Sequence, residues 1–232
     1  PDFLSSFKLF CGGQNAVRRL WAIGLGTMAF TMEDVLLEPY GGEILHMSVS
    51  STTLLSATLA LGGLLGFAWA SRVLGRGGDG YRMSGWGAWI GLPAFACVIF
   101  SAPLNSALLF QTGATLIGFG GGLFAVGMLL TAMAMTDSLH AGMVLGAWGA
   151  VQATATGIAM ALGGVIRDVV GHLAEQGMLG EALVSPVTGY SVVFHIEMYM
   201  LFCVLIALGP LVSRKRQADA SKDTRFGLAE LP

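Results

Sequence analysis

SVSSTTLLSATLALGGLLGF, residues 48–67, contains no Asp, Glu, Lys or Arg. A bilayer's hydrocarbon is about 30 Å thick, and roughly 20 apolar residues cross it as a helix. Inside lipid no water reaches the backbone, so a crossing segment must satisfy its own N–H and C=O groups, as a helix does. This stretch sits in an apolar run at 47–70. Outward from it lie further runs at about 20–37, 84–102, 107–135, 141–170 and 190–212. The run 107–135 is long for one crossing, and tilt or an interfacial end absorbs the excess. The predicted fold is an all-α membrane protein, a six-transmembrane-helix bundle over 18–212. Residues 1–17 read as a cytoplasmic linker or interfacial segment and 213–232 as a cytoplasmic polar tail, expected to be disordered.

Composition agrees. Hydrophobic residues make up 54% of the chain and charged residues 11%, with a mean hydropathy of +0.72. Soluble domains carry about 25% charged residues, so the bilayer is the solvent that fits. The net charge of −2 gives no footprint for nucleic acid. Cys11, Cys97 and Cys203 are scattered without CxxC spacing, and no disulfide or zinc site is read from them. The opening PDFLSSFKLFCGG lacks the order of a signal peptide, and the sequence reads as part of a longer chain or as a processed one.

The breaks between runs are recognisable. EPYGGE (38–43) reads as the end of the first helix, with a proline and two glycines. SRVLGRGGDGYR (71–82), SAPLNS (101–106), TDSLH (136–140) and HLAEQGMLGEALVSPVTG (172–189) read as turns or loops. With the start placed in the cytoplasm, eleven of the twelve Lys and Arg residues fall on the cytoplasmic side. The exception is Arg167, beside Asp168. Glu38, Glu43, Glu175 and Glu181 fall outside. This asymmetry sets orientation, places both ends in the cytoplasm and makes the span count even.

Small residues recur four apart in GGLLG (62–66), GAWIG (87–91), GFGGG (118–122), GMVLG (142–146) and ATATG (153–157). Such pairs let helix backbones approach closely and favour a compact bundle. GFAWASRVLGRGGD at the end of the second run and GGVIRDVVGH at the end of the fifth hint at a three-plus-three inverted repeat, a common transporter construction.

Ionisable and polar residues inside such a bundle are the candidates for function. Glu33, Asp34 and Glu38 form an acidic cluster at the outer end of the first run; the alternative is that they mark the helix end in water or headgroups. EPYGGE is a gating loop or a plain turn. Arg72, Arg76 and Arg82 around Asp79 could latch a conformation or simply anchor a loop. Gln152 in the fifth run needs a partner in lipid, either a ligand or another helix. His195 and Glu197 open the last run on different faces. A neutral imidazole can ligate a metal, including a chlorophyll's magnesium, although a lone His more often serves a helix interface. His46, His140 and His172 sit near loops. No pair of His has metal-site spacing, and no nucleophile motif, P-loop or dinucleotide fingerprint is present, so no catalytic or resident-metal constellation is expected.

MEDVLLEPYGGEIL (32–45), residues 48–67, IGFGGGLFAVG (117–127), AGMVLGAWGAVQATATGIAMALGGVIRD (141–168) and the GY…IEMYMLF…GPLV pattern (189–212) closely resemble the bacteriochlorophyll-delivery (PucC/LhaA-like) branch of the major facilitator superfamily. SRVLGRGGDGYR is similar to a degraded form of that superfamily's cytoplasmic loop motif. The resemblance runs from about Arg18 to Val212 and implies the C-terminal half of a twelve-helix fold, with an N-terminal six-helix half as partner. It also implies an assembly factor in the intracytoplasmic photosynthetic membrane of a bacterium. Such a factor holds or hands over bacteriochlorophyll, as bound and not covalent cargo, to light-harvesting antenna polypeptides. It further implies contact with the pigment-synthesis machinery. No pigment ligand transfers residue by residue. The competing reading is a proton-coupled secondary transporter of a small amphipathic solute, working through Glu33 or Glu197.

Overall fold

A computed structural model describes residues 16–133 and 141–228. The turn expected at TDSLH, with His140, and nearly all of the 1–17 segment lie outside the described residues. Among the described residues, seven helices run in chain order: α1 Ala16–Ala29, α2 Leu37–Glu43, α3 Val49–Gly75, α4 Gly80–Ser101, α5 Ala107–Met133, α6 Ala141–Glu175 and α7 Val187–Leu228. Short 3-10 turns occupy Glu33–Val35 and Glu181–Leu183, and no strand occurs among the described residues. Six segments among the described residues are long and apolar enough to cross a membrane: Arg18–Glu43, Val49–Gly75, Gly80–Ser101, Ala107–Met133, Trp148–Glu175 and Val187–Val212. They are called the first to sixth spans below.

Two boundaries differ instructively from the sequence reading. EPYGGE does not end the first helix. It forms most of α2, and the break lies upstream, at 30–36. Pro39 is the third residue of α2, where a helix N–H has no intrahelical acceptor, so its missing N–H costs nothing. Tyr40 then draws the segment into the core. Its ring stacks edge-on against Tyr190 at 5.3 Å and Phe194 at 5.4 Å and tilts against Phe110 at 5.1 Å. Its hydroxyl donates to the Val98 carbonyl at 3.3 Å. At the other end, the last helix runs through the polar segment from residue 213 to Leu228, a stretch with no proline or glycine before Gly227 to interrupt it.

The second and third spans are capped. Ser48 accepts from the Ser51 N–H at 3.3 Å, and Asp79 accepts from the Tyr81 N–H at 3.0 Å, each satisfying a donor the helix leaves open. The expected turn at 71–82 thereby shrinks to 76–79, with Gly77 in the left-handed region at φ 87°.

The closest packing joins the fourth span to the second and third. A Cβ at Gly118 would stand 2.1 Å from the Leu59 carbonyl oxygen, and one at Gly62 2.1 Å from that of Thr115. One at Gly87 would stand 2.4 Å from the Gly120 carbonyl. Exchanging spans one to three with four to six maps the third–fourth contact onto sixth–first and the second–fourth contact onto fifth–first. It maps third–sixth onto itself, and all of these contacts are present. The fifth–sixth contact has no comparable counterpart between the second and third spans.

Candidate functional site at a broken span

The first span is discontinuous. After Ala29, the Phe30 N–H is shared between the Gly26 and Thr27 carbonyls at 3.2 Å each, and the Thr31 hydroxyl donates to the Thr27 carbonyl at 2.8 Å. Such back-bonding competes with the regular ladder and bends helices. The chain passes through the 3-10 turn, where the Leu36 N–H reaches the Glu33 carbonyl at 2.8 Å, and re-forms as α2. Broken helices at membrane depth occur where backbone lines a cavity or is buried in protein.

The break disperses the acidic residues that the sequence groups together. Glu33 turns inward and is 0% exposed, whereas Asp34 and Glu38 face outward. Glu38 accepts a hydrogen bond from the Ser56 hydroxyl. Because the first span continues to Glu43, Glu33 lies within the span and not at its outer end. The same correction applies to Glu197. The sixth span begins at Val187, so Glu197 sits deep in it instead of opening it, and it too is 0% exposed. The Glu33 and Glu197 carboxyls lie against each other, with Asp34 the further charged group acting on both. None of their four carboxyl oxygens has a hydrogen-bond partner of proper geometry among the described residues. Two carboxylates in contact and out of water repel strongly. The pair therefore calls for a proton or a cation between its members.

Glu33 also borders a cavity of about 450 Å³ formed by the first, second, fourth and fifth spans. Its polar lining is Thr27, Thr31, Asp34 and Gln152; Gly63, Gly118, Gly121 and Gly122 line it without side chains, and Phe30, Phe67 and Phe124 complete the lining. A mostly apolar cleft with a few convergent polar groups is the usual form of a small-molecule site. Gln152 thus lines the same cavity as Glu33 and Asp34.

His195 does not join them. It is exposed on the sixth span, and its Nδ1 lies 2.7 Å from the Ser191 carbonyl oxygen. A carbonyl only accepts, so Nδ1 carries the hydrogen and Nε2 of the neutral ring keeps its lone pair, the tautomer that ligates metals. Arg72, Arg76 and Arg82 are exposed, and Asp79 serves as the cap of the third span. His172 lies 2.9 Å from the Gln176 amide, and His46 occupies the loop after α2 with φ 51°. No group of three metal-ligating side chains occurs among the described residues.

One cluster escaped the sequence reading. Arg167 Nη2 donates to Glu43 Oε2 at 2.6 Å and to Tyr190 Oη at 2.6 Å, and Tyr190 Oη donates to the same Glu43 oxygen at 2.7 Å. Arg167 Nη1 meets Asp168 at 2.7 Å, and the guanidinium lies 4.5 Å from the Tyr190 ring centre. This joins the ends of the first and fifth spans to the start of the sixth. The signal available in sequence was that Arg167 is the lone basic residue on its side. Its partner Glu43, 124 residues away, carried none.

The PUCC protein family model matches residues 1–216. The chain is 55% identical over 170 residues to Protein PucC of Rhodovulum sulfidophilum, covering 73% of this chain and 37% of that protein. It is 43% identical over 234 residues to an uncharacterized protein in the puhA-bchM intergenic region of Rhodobacter capsulatus, covering 100% of this chain and 49% of the relative. It is 44% identical to Protein PucC of Cereibacter sphaeroides over 91% of this chain and 45% of that one. The chain thus spans less than half the length of these relatives. No solved structure matches it. On the match over residues 1–216, the chain belongs to the PUCC protein family.

Proposed function

We propose that this chain is the C-terminal six-helix half of a non-catalytic assembly factor. It holds bacteriochlorophyll, or hands it over, as light-harvesting antenna polypeptides assemble in a photosynthetic membrane, in contact with the pigment-synthesis machinery. Membership of the PUCC protein family supports this reading. The observation that carries it is the cavity at the broken first span, with its glycine-rich and aromatic lining and few polar groups. A planar macrocycle needs such a cleft, and a second six-helix half would close it. The test is the absorption spectrum of the full-length protein purified in mild detergent. Bound pigment that is lost on Gly121→Leu, at the cavity wall, supports the proposal. A colourless protein, together with normal antenna levels in a deletion strain, rejects it.

The acid pair favours a second reading, proton-coupled movement of a small amphipathic solute. Its arm of the experiment is gradient-dependent uptake into vesicles by the full-length protein, abolished by Glu33→Gln. Uptake without pigment binding would select this reading over the first.

A further inference from the structure

The third span begins with a ridge. Arg82, Trp86 and Trp89 are four and three residues apart and so share one helix face. An apolar crevice lies on each side of it. One, about 520 Å³, runs between the second, third and fourth spans, walled by Trp69 and Phe119, whose rings meet edge-on at 6.3 Å. The other, about 430 Å³, runs between the third and sixth spans against Leu205 and Leu208. Arg82 and Trp86 line both. Neither crevice contains the acid pair or the cavity beside it.

We propose that this ridge is a binding site for an anionic glycerophospholipid, its phosphate at Arg82 and one acyl chain in each crevice. Two apolar grooves diverging from one guanidinium match a two-chain amphiphile with a single head. A guanidinium pairs a phosphate diester through two N–H donors. Arg72, in the last turn of α3, and Arg76, which follows that helix, are exposed ahead of the ridge. They favour a headgroup without a compensating cation, because a choline or ethanolamine would meet like charge. Asp79, which borders the first crevice, is drawn to its own helix by the Tyr81 N–H at 3.0 Å. Tryptophans at 58% to 60% exposure, Trp69, Trp86 and Trp89, suit the membrane interface, where indole rings gather. The bland alternative is an ordinary aromatic belt against which any lipid exchanges.

Native mass spectrometry of the full-length protein, incubated with phosphatidylglycerol or with phosphatidylcholine of the same chains, separates the two. The expected result is one phosphatidylglycerol retained per chain in preference to phosphatidylcholine. Arg82→Gln should lower that retention about fivefold, the weight of one arginine near a charged lipid surface. Trp86→Ala, which removes the ridge without altering charge, should lower it as well. Thermal melting reports whether each variant folds, so either variant alone suffices. Four outcomes overturn the assignment: equal retention of the two lipids, unchanged retention in a folded variant, full displacement by glycerol phosphate, or bacteriochlorophyll in the site instead of phospholipid.

Discussion

A glutamate at membrane depth is tolerated only where something replaces water around its carboxyl. For Glu33 and Glu197 the replacement is each other, with no arginine, lysine or donor hydroxyl among the described residues bonded to either. Such an arrangement is poor for stability and informative for function. Glu197→Gln should keep the fold and leave the melting temperature unchanged or higher. Gln keeps the shape of Glu without its charge, so the change relieves a like-charge repulsion and breaks no ion pair. The same variant should lose pigment retention or antenna assembly at least tenfold. A lowered melting temperature with full function would instead make the pair a structural contact. The Glu43–Arg167–Tyr190 triangle is the opposite case, satisfied and partly solvated, with side-chain exposures of 54% for Glu43 and 30% for Arg167. A double-mutant cycle of Glu43→Gln and Arg167→Ala should return a coupling of about 1 kcal/mol, the upper range for exposed pairs. A coupling near zero would reduce the triangle to a crystal-like coincidence of surface groups. His195→Gln tests the free Nε2. Melting should not change, because the residue is exposed, and any pigment held there should shift its absorption.

The first span explains which elements a sequence reveals. Six apolar runs were legible because hydrocarbon thickness is a local, length-based constraint. The break was misplaced by several residues because Pro39, Gly41 and Gly42 are strong turn formers in isolation, and what overrides them is distant. Tyr40 packs against Phe110, Tyr190 and Phe194, contacts that no window around residue 40 contains. Pro39→Ala should therefore change stability by less than about 1 kcal/mol, whereas Tyr40→Ala should cost about 3–5 kcal/mol, as large buried aromatics do. Comparable melting losses for both would return EPYGGE to the role of a plain turn. The small-residue pairs repeat the lesson. GGLLG, GAWIG and GFGGG all meet a neighbouring span at close range, but Gly142, Gly146 and Gly157 of the two fifth-run motifs have nothing within 4 Å. The local pattern is the same, and only the presence of a facing helix separates the cases. The candidate site was half legible for a related reason. Glu33, Asp34 and Gln152 stood out as polar residues in apolar runs, but the pairing of Glu33 with Glu197 joins the first span to the last.

At the scale of the molecule, cover is uneven in a patterned way. The second and fifth spans have 22% and 17% of their apolar windows buried, against 33% to 56% for the other four, and these two exchange places under the three-plus-three permutation. The exposed face of α6, the helix of the fifth span, carries Gly142, Gly146, Ala150, Ala153, Gly157 and Ala161 at helical spacing. Lipid chains gain nothing from such a flat face, whereas a second helix can approach it closely. Since the chain spans 37% to 49% of the length of its relatives, the proposed second half is the natural occupant. Expressed as two polypeptides divided between the halves, the full-length protein should copurify as a complex. Gly157→Leu should weaken that copurification about tenfold, a loss of about 1.4 kcal/mol. Cys203→Leu, exposed on the sixth span, adds similar bulk elsewhere and should leave it unchanged. Helix formation itself does not require Gly157, since glycine is the weaker helix former. A folded Gly157→Leu variant that copurifies normally would therefore assign this face to lipid and move the interface elsewhere on the bundle.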